Sequence, residues 1–447
     1  MALHRRLFFL LILFLPTQLG IHFWPEWTHV LGRRVDYLSP TIYFTDVLLL
    51  AVFFTWMVSL RQKKFLRKLT IPFPFSLTAV VLVGVTVGNI SVAANTPLVI
   101  YKWIKFYEYL LLGWYIIATN VRMKDIVLPL AIAVLYSSLI ALTQFILQRS
   151  VGGVLWFLGE RSFMIDTPGI ARIALCTRYS TDCPLLLRSY ATFPHPNVFA
   201  GFVAVALPYF LLRILRTDLW LGPFWLAIAA FMVSVAGLLT SFSRSAWAVS
   251  VIMVLGTWLI VKILSRHKKI ATFHPLTVAA FFSAICFIVL VMLRLPARSD
   301  ESLVIRQQLH QTAIHMWTTT PFFGVGLGNF LIELPSFAPY RAGNFLQPVH
   351  NIYVLFMTEA GIAGWGVLLI LGGMCFLHRR RIGYAVMHNL DDVTLPLLSL
   401  CGVLLLGVVD HYPITLQQGQ LLSCVFASVI AGQFISSSNA KRSHFLD

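Results

Sequence analysis

An apolar run without a charged side chain extends from residue 126 to residue 147, and it reads Ile126-Val-Leu-Pro-Leu-Ala-Ile-Ala-Val-Leu-Tyr-Ser-Ser-Leu-Ile-Ala-Leu-Thr-Gln-Phe-Ile-Leu147. A helix of about 20 mostly apolar residues is long enough to cross a bilayer. Backbone polar groups in lipid need partners within the protein, so only helices and closed barrels cross it, and barrel strands would be short and alternating. The run therefore predicts a transmembrane helix.

Runs of this kind recur along the whole chain. They begin near Leu7, Thr41, Phe75, Leu98, Ile126, Val198, Leu219, Ser245, Leu276, Ile352, Thr394 and Gln418. Of the 447 residues, 58% are hydrophobic and 11% are charged, whereas soluble proteins carry about 25% charged residues. This composition excludes a soluble enzyme, a disordered chain and, despite the net charge of +17, a nucleic-acid-binding protein. We predict an all-α integral membrane protein, a single polytopic domain over residues 1–447 with about 12 transmembrane helices.

The sides of the membrane follow from the basic residues, which collect in cytoplasmic loops. Arg5 and Arg6 precede an apolar stretch that resembles a signal peptide, but no small-x-small cleavage site follows, so we expect a retained first span. With the N-terminus in the cytoplasm, the short basic loops also fall inside, at residues 61–68, 122–124, 213–216, 262–269 and 379–381. Both termini are then cytoplasmic.

Two long loops, residues 148–197 and 294–351, are predicted to be extracytoplasmic. Loops of this length are usually functional. The basic residues assigned to the outer side are all Arg, whose planar guanidinium grips phosphate oxygens in pairs, whereas Lys offers a point charge. The alternative is that Arg predominates there because it is the commoner cation of the chain.

Four short segments at the outer boundary carry candidate chemistry. The first, Arg188-Ser-Tyr-Ala-Thr-Phe-Pro-His-Pro-Asn197, leads into the sixth span, and Asn197 suits a helix N-cap. A capping role would explain Asn197 but would not explain Arg188 and His195. The second, Thr240-Ser-Phe-Ser-Arg244, places Arg244 at the outer ends of two spans, where it binds phosphate or extends to lipid headgroups.

The third segment runs from residue 302 to residue 330. Its first part predicts an amphipathic helix along the membrane surface with Arg306 in the first turn. Gly324, Gly326 and Gly328 follow, but no strand precedes them and no Gly-Lys-Ser/Thr follows, so a tight backbone turn is favoured over a nucleotide site. The fourth segment, Gln347-Pro-Val-His-Asn351, opens the next span. An imidazole with a reference pKa of about 6.5, as in His350, is suited to accept a proton near neutral pH.

In this order the segments resemble the O-antigen ligase and O-antigen polymerase superfamily of polytopic glycosyltransferases. That pattern includes the Arg before Thr-Phe-x-x-Pro-Asn, a Ser-Arg between spans, the glycine-rich turn, and a His-Asn pair followed by Glu359, Gly361 and Gly364. The resemblance covers an O-antigen ligase-like core at residues 188–377, and it departs at Ala191, where Gly is common.

The resemblance implies a C-type glycosyltransferase-like fold in the bacterial plasma (inner) membrane, with an extracytoplasmic active site. It implies transfer of a glycan from a polyprenyl-pyrophosphate carrier to a hydroxyl of a lipid-linked or glycan acceptor, among membrane lipids and without nucleotide, cofactor or nucleic acid. His350 is the expected base, and Arg188, Arg244 and Arg306 are the expected pyrophosphate ligands. The secondary candidates are His195, Asn197, Asn351 and Asp410.

We expect no metal, because the outer acidic residues are scattered along the sequence and no group has metal-ligand spacing. Without a metal, fixed Arg side chains must offset the developing pyrophosphate charge. Alternatives within the class are an O-antigen or exopolysaccharide polymerase and a protein O-oligosaccharyltransferase. The alternative outside the glycosyltransferase class is a polysaccharide-lipid transporter. A transporter is expected to consist of two repeated halves, and this sequence shows no such repeat.

Two further features are open at this stage. Lys102, Lys105 and Glu108 fall within the fourth span, where ions indicate function by default, but we favour a Lys105–Glu108 pair that fixes helix packing. Cys176 and Cys183, seven residues apart on the outer side, either form a disulfide or are two thiols.

Overall fold

The computed structural model describes residues 2–62, 73–174, 183–216, 222–267, 300–338 and 346–443. Most of these residues are helical. The helices are α1 (Leu3–Leu13), α2 (Phe44–Gln62), α3 (Phe73–Val92), α4 (Thr96–Ala118), α5 (Met123–Leu147), α6 (Pro196–Arg216), α7 (Gly222–Thr240), α8 (Arg244–His267), α9 (Asp300–Thr319), α10 (Phe330–Phe337), α11 (Ile352–Leu377), α12 (Arg379–His388), α13 (Leu395–Gly407), α14 (Tyr412–Thr415) and α15 (Gln417–Ser443). A π-helical turn, Leu390–Thr394, leads into α13.

Five helical segments of the described ranges are long and apolar enough to cross a membrane: Met123–Leu147, Pro196–Arg216, Arg244–Ile263, Ile352–Leu377 and Leu390–Gly407. Every predicted span coincides with a helix except the one near Leu276, which lies outside the described residues. The first helix, α1, has 11 residues. At 1.5 Å per residue this is about 16 Å, too short for a hydrocarbon core of about 30 Å. The helical membrane architecture is confirmed, whereas the number of twelve spans stays a prediction.

The structure is consistent with an all-α membrane protein, but two of the connections between helices contain short strands that the sequence analysis did not predict. The described chain has three two-stranded antiparallel sheets. They pair β1 (Gly20–His22) with β4 (Thr41–Tyr43), β2 (His29–Val30) with β3 (Arg33–Arg34), and β5 (Arg172–Ala174) with β6 (Leu185–Leu187). Strands of two or three residues are too short to be recognised from apolar runs of about 20 residues, on which the prediction of the helices rests. The first two sheets fold residues 20–43 into a compact segment that we call the N-terminal cap.

Helix α6 forms the centre of the main hydrophobic core. Its residues are buried from Pro196 to Leu212, as expected of a helix that is apolar on all sides. The neighbouring helices are α5, α7, α8 and α13. On another side the ring of Tyr209 stacks on Phe426 of α15, with 6.1 Å between ring centroids. This surrounding packing fixes the position of the first residues of α6, which include Asn197.

The glycine-rich turn packs against a break in α11. Gly361 interrupts the helix with φ 63° and ψ −167°. The N–H of Gly326 donates to the carbonyl of Glu359 at 3.0 Å, and the N–H of Ala363 donates to the carbonyl of Phe322 at 2.9 Å. A Cβ on Gly361 would lie 2.3 Å from the Phe322 oxygen, so only glycine fits. The predicted tight backbone turn is therefore present, and its role is to hold α11 in its bent shape.

The two long loops contain their own structure. In the second, the predicted amphipathic helix is present as α9, whose Leu309, Ala313 and Met316 are buried in a core shared with α10 and α11. In the first, Cys183 is disulfide-bonded, and Cys176, its predicted partner, lies outside the described residues.

Candidate active site

A cavity of about 1530 Å³ opens beside the N-terminal cap and among helices α4, α6, α9, α11 and α13. Much of its wall is apolar or aromatic. The candidate catalytic groups share one part of the wall, which contains Arg161, Arg188, His195, Asn197, Arg306, His350, Asp410 and His411. The cavity is large enough for part of a substrate together with its leaving group.

His350, Asp410 and His411 form a compact group at this wall. One nitrogen of each imidazole and one oxygen of the carboxylate lie within 4.8 Å of one another. The two imidazole rings meet edge to face, with 5.1 Å between centroids. The sequence analysis missed His411, and it described the outer acids as scattered. That description is wrong for Asp410, because folding brings together residues that are 60 positions apart in the chain.

The start of α11 positions His350. Asn351 caps the helix, since its side-chain oxygen accepts the N–H groups of Tyr353 at 2.9 Å and Val354 at 3.0 Å. Its amide nitrogen donates to the carbonyl of Val408 at 3.1 Å. Asn351 therefore ties the residue next to His350 to the turn that carries Asp410. Asn351, a secondary candidate from the sequence, thus lies beside the site and helps to position His350.

Asp410 is buried, and its carboxylate is fixed by two donors. The side-chain amide of Asn197 donates to one oxygen at 2.9 Å, and the backbone N–H of His411 donates to the other at 2.9 Å. Burial alone would raise the pKa of Asp410, but the neighbouring His411, His350 and His195 and the Asn197 hydrogen bond lower it below its ordinary value. Asp410 is thus a carboxylate at neutral pH, with imidazoles facing it.

Arg188 is linked to this group through Asn197. Its guanidinium donates to the side-chain oxygen of Asn197 at 2.7 Å and to the carbonyl of Ser241 at 2.7 Å. The amide of Asn197 thus accepts from Arg188 on one side and donates to Asp410 on the other. Hydrogen bonds thus connect Arg188, a predicted phosphate ligand, with Asp410, whose carboxylate lies within 4.8 Å of the imidazole of His350.

The predicted N-cap role of Asn197 is wrong. Helix α6 begins at Pro196, so Asn197 falls within its first turn. The N–H of Asn197 donates instead to Nδ1 of His195 at 3.1 Å, which makes His195 the capping side chain. His195 lines the cavity, and its side chain is exposed there. Desolvation by the protein around the cavity, and then the charge of Arg188, lowers its pKa, so it is neutral at neutral pH and a weak base.

The structure separates the three predicted phosphate ligands. Arg306 lines the cavity and donates to the carbonyl of Val409 at 2.9 Å, next to Asp410. Arg244 begins α8, at the expected ends of α7 and α8, but it is not part of the cavity wall. Arg161, which the sequence analysis did not single out, does line the cavity. It donates to the Pro194 carbonyl at 3.1 Å and lies over the Tyr190 ring.

His350, Asp410 and His411 are also the group, among the described residues, whose atoms lie close enough to hold a metal ion. At least three of the six candidate ligand atoms of this group already take part in hydrogen bonds. Both carboxylate oxygens of Asp410 accept N–H groups, and Nδ1 of His411 is bonded to the Thr415 hydroxyl at 2.8 Å. The geometry of the group is therefore compatible with an imidazole base and also with a set of metal ligands.

The ions of α4 form a second charged group deeper in the same cavity. The predicted pair is confirmed, with 3.1 Å between Lys105 Nζ and Glu108 Oε2. The sequence analysis missed Asp46, whose carboxylate lies 2.5 Å from the same ammonium. Lys102 donates to the Tyr37 carbonyl at 2.9 Å and so fixes the N-terminal cap on α4. These contacts agree with a packing role for Lys102 and Lys105.

Comparison with known proteins finds a family similarity over part of the chain. The O-antigen ligase family matches residues 227–370, a stretch that includes Arg244, Arg306, the glycine-rich turn and His350. Arg188, Asn197 and Asp410 lie outside the matched stretch and join it only through the fold. No curated protein sequence matches the chain. Over residues 227–370 the chain is therefore similar to the O-antigen ligase family.

Proposed function

We propose that this protein transfers a glycan from a polyprenyl-pyrophosphate carrier to an acceptor hydroxyl at the outer face of the bacterial plasma membrane. One observation carries the proposal: His350 and the buried Asp410 carboxylate share a cavity wall with two guanidinium groups, one of them linked to Asp410 through Asn197. Similarity to the O-antigen ligase family over residues 227–370 supports a transfer reaction of this type. Both the acceptor and the side of the membrane belong to the proposal.

The donor pyrophosphate is bound by Arg188 and Arg306, with Arg161 as a third cation at the same wall. Each guanidinium is held by a hydrogen bond to a backbone carbonyl or a side chain, so its position is set before the donor arrives. Cations fixed in advance stabilise negative charge at little reorganisation cost as the glycosidic bond breaks. Arg244, outside the wall, acts indirectly through the α7–α8 turn whose Ser241 carbonyl binds Arg188.

His350 accepts the proton of the acceptor hydroxyl. The hydroxyl oxygen attacks the anomeric carbon, the bond from that carbon to the pyrophosphate oxygen breaks, and the electron pair leaves with the pyrophosphate. A single displacement inverts the anomeric configuration. The nearby Asp410 carboxylate stabilises the protonated form of His350, and His411 packs against the His350 ring. The leaving group is bound by Arg and needs no general acid.

Ligase, polymerase and protein glycosyltransferase differ in the acceptor, and a ligase-like transfer to a lipid-linked or glycan hydroxyl is our proposal. A transporter is disfavoured because its substrate site would lie near the bilayer midplane between repeated halves. Here the imidazoles lie at helix ends, next to α11 and between α13 and α14. The glycan that accumulates when the protein is removed identifies the acceptor class.

The test compares His350→Ala with His195→Ala in a turnover assay on purified protein with a lipid-linked glycan donor. Loss of a general base costs about 10²–10⁴-fold in rate. We expect this loss for His350→Ala, with donor binding retained, and a smaller effect for His195→Ala. Normal turnover of His350→Ala together with a strong loss for His195→Ala would assign the base to the first loop and refute the mechanism.

Topology is tested separately with reporters fused after Lys269 and within the first loop at Arg172. We expect a cytoplasmic signal from the former and an outer signal from the latter. A cytoplasmic signal at Arg172 would place the cavity on the wrong side for an extracytoplasmic transfer.

A further inference from the structure

A short loop after α5 presents large apolar side chains to the outside of the protein. The turn Gly153–Leu158 contains no buried residue. Val154 is 78% exposed, Trp156 55% and Phe157 66%. We call residues 154–157 the apolar tip. Soluble surfaces seldom carry such a group of side chains without a partner.

The apolar tip projects from a rigid base. The buried carboxylate of Glu160 accepts the N–H groups of Val151 and Gly152, both at 2.7 Å, and the Gln144 amide of α5 at 2.8 Å. Gly159 has φ 89°, and a Cβ there would lie 2.7 Å from the chain that follows α1. These contacts close the loop at both ends, so the exposure of its tip is built into the structure.

The apolar tip continues the lipid-facing side of α5. Exposed apolar side chains follow one face of this helix at Leu128, Ile132, Leu139 and Ile146. Helix α5 is long and apolar enough to cross the membrane, and it ends at Leu147, only a few residues before the tip. The tip therefore lies at the depth where the hydrocarbon region gives way to the headgroups.

Charge and residue type point to the same partner. Arg149 and Arg161, both exposed, flank the apolar tip on its two sides, while the intervening Glu160 is buried. Trp is enriched at membrane interfaces, and Arg beside an apolar group suits the phosphates of lipid headgroups. We propose that the apolar tip inserts into the outer boundary of the bilayer beside the cavity, with Arg149 and Arg161 at the level of the lipid phosphates.

This anchor has a consequence for the cavity, because Arg161 also lines its wall. Insertion of the apolar tip would hold the cavity wall near Arg161 at the membrane surface. A lipid-linked molecule could then pass from the outer leaflet directly into the cavity. The inference rests on exposure and sequence continuity and stands whether or not the proposed transfer reaction is correct.

The experiment uses the full chain in nanodiscs of phosphatidylglycerol and phosphatidylethanolamine. Phe157→Cys carries an environment-sensitive fluorophore, in a background in which Cys286, Cys375, Cys401 and Cys424 are replaced by Ala. The matched control carries the same label at Ser162→Cys, an exposed polar position of the same loop. Quenching is measured with doxyl-labelled lipids and with aqueous iodide.

We expect a blue-shifted emission at position 157, loss of its intensity with doxyl lipids and little loss with iodide. The label at position 162 should show the reverse. Quenching at 157 by iodide and not by doxyl lipids would overturn the proposal. Protection of this label from both quenchers would also overturn it, because protein, a second copy or another chain, would then cover the tip.

Discussion

Replacing Asp410 with Asn removes one negative charge from the active site and keeps the shape of the side chain. The carboxylate oxygen lies within 4.8 Å of the His350 imidazole. At that separation and an effective dielectric constant of about 20, a carboxylate and an imidazolium attract by about 3 kcal/mol. His350 is charged only after it has accepted the hydroxyl proton, so the loss falls on the transition state. At 1.36 kcal/mol per tenfold change, kcat should fall by about 10²-fold.

The assay is single-turnover transfer from a lipid-linked donor by purified protein, with donor affinity measured separately. We expect kcat to fall and donor affinity to stay, because Arg188 and Arg306 are unchanged. Glu333→Gln is the control for the loss of a carboxylate, because Glu333 lies in the second loop and outside the cavity wall. The pKa of Asp410 lies below its ordinary value, so the loss should be constant across the neutral pH range. An Asp410→Asn variant with wild-type kcat would refute the role assigned to this carboxylate.

Three substitutions and a chelator test other parts of the structure. Burial lowers the pKa of His411 below the value of about 6.5 that a His has in the unfolded chain. As the pH falls below about 6.5, the unfolded chain binds this proton before the folded protein does, so the folded state loses stability. The variant His411→Gln should therefore show a weaker dependence of the melting temperature on pH. Gly361→Ala should cost about 2–4 kcal/mol of stability through backbone strain and overlap, whereas Gly366→Ala, with open space at the added Cβ, should melt like the wild type. Arg188→Lys cannot keep two separately directed hydrogen bonds, so kcat/KM should fall by the equivalent of about 1.5–3 kcal/mol, and an unchanged value would exclude Arg188 from the donor site. Activity should persist in a metal chelator, and a loss restored by a divalent cation would replace the imidazole base with a metal-bound nucleophile.

The long helices could be predicted because bilayer thickness sets a length that apolar runs must match. Helices α5, α6 and α11 begin within a few residues of the starts expected from hydropathy alone. The N-terminal cap could not be predicted in this way. Its strands have only two or three residues each, and strands this short carry no signal of their own.

The site was predictable where a polar residue interrupts an apolar sequence at a boundary. Arg188, Arg306 and His350 stand out for this reason, and all three line the cavity. The partners of these residues were not predictable, because the contacts join distant parts of the chain. Asn197 meets Asp410 only when α6 packs beside α13, and nothing near Asp46 in the sequence indicates its contact with Lys105 on α4.

The complete enclosure of α6 bears on how the protein is assembled in the membrane. A helix surrounded by protein on every side has no face that prefers lipid to its neighbours, so it reaches its final place only when those neighbours are present. Two of them, α13 and α15, are synthesised last, long after the ribosome has made α6. Asn197 and Asp410 therefore meet late in biogenesis, and earlier intermediates carry the proposed donor-binding Arg residues without the Asp410 carboxylate beside the proposed base.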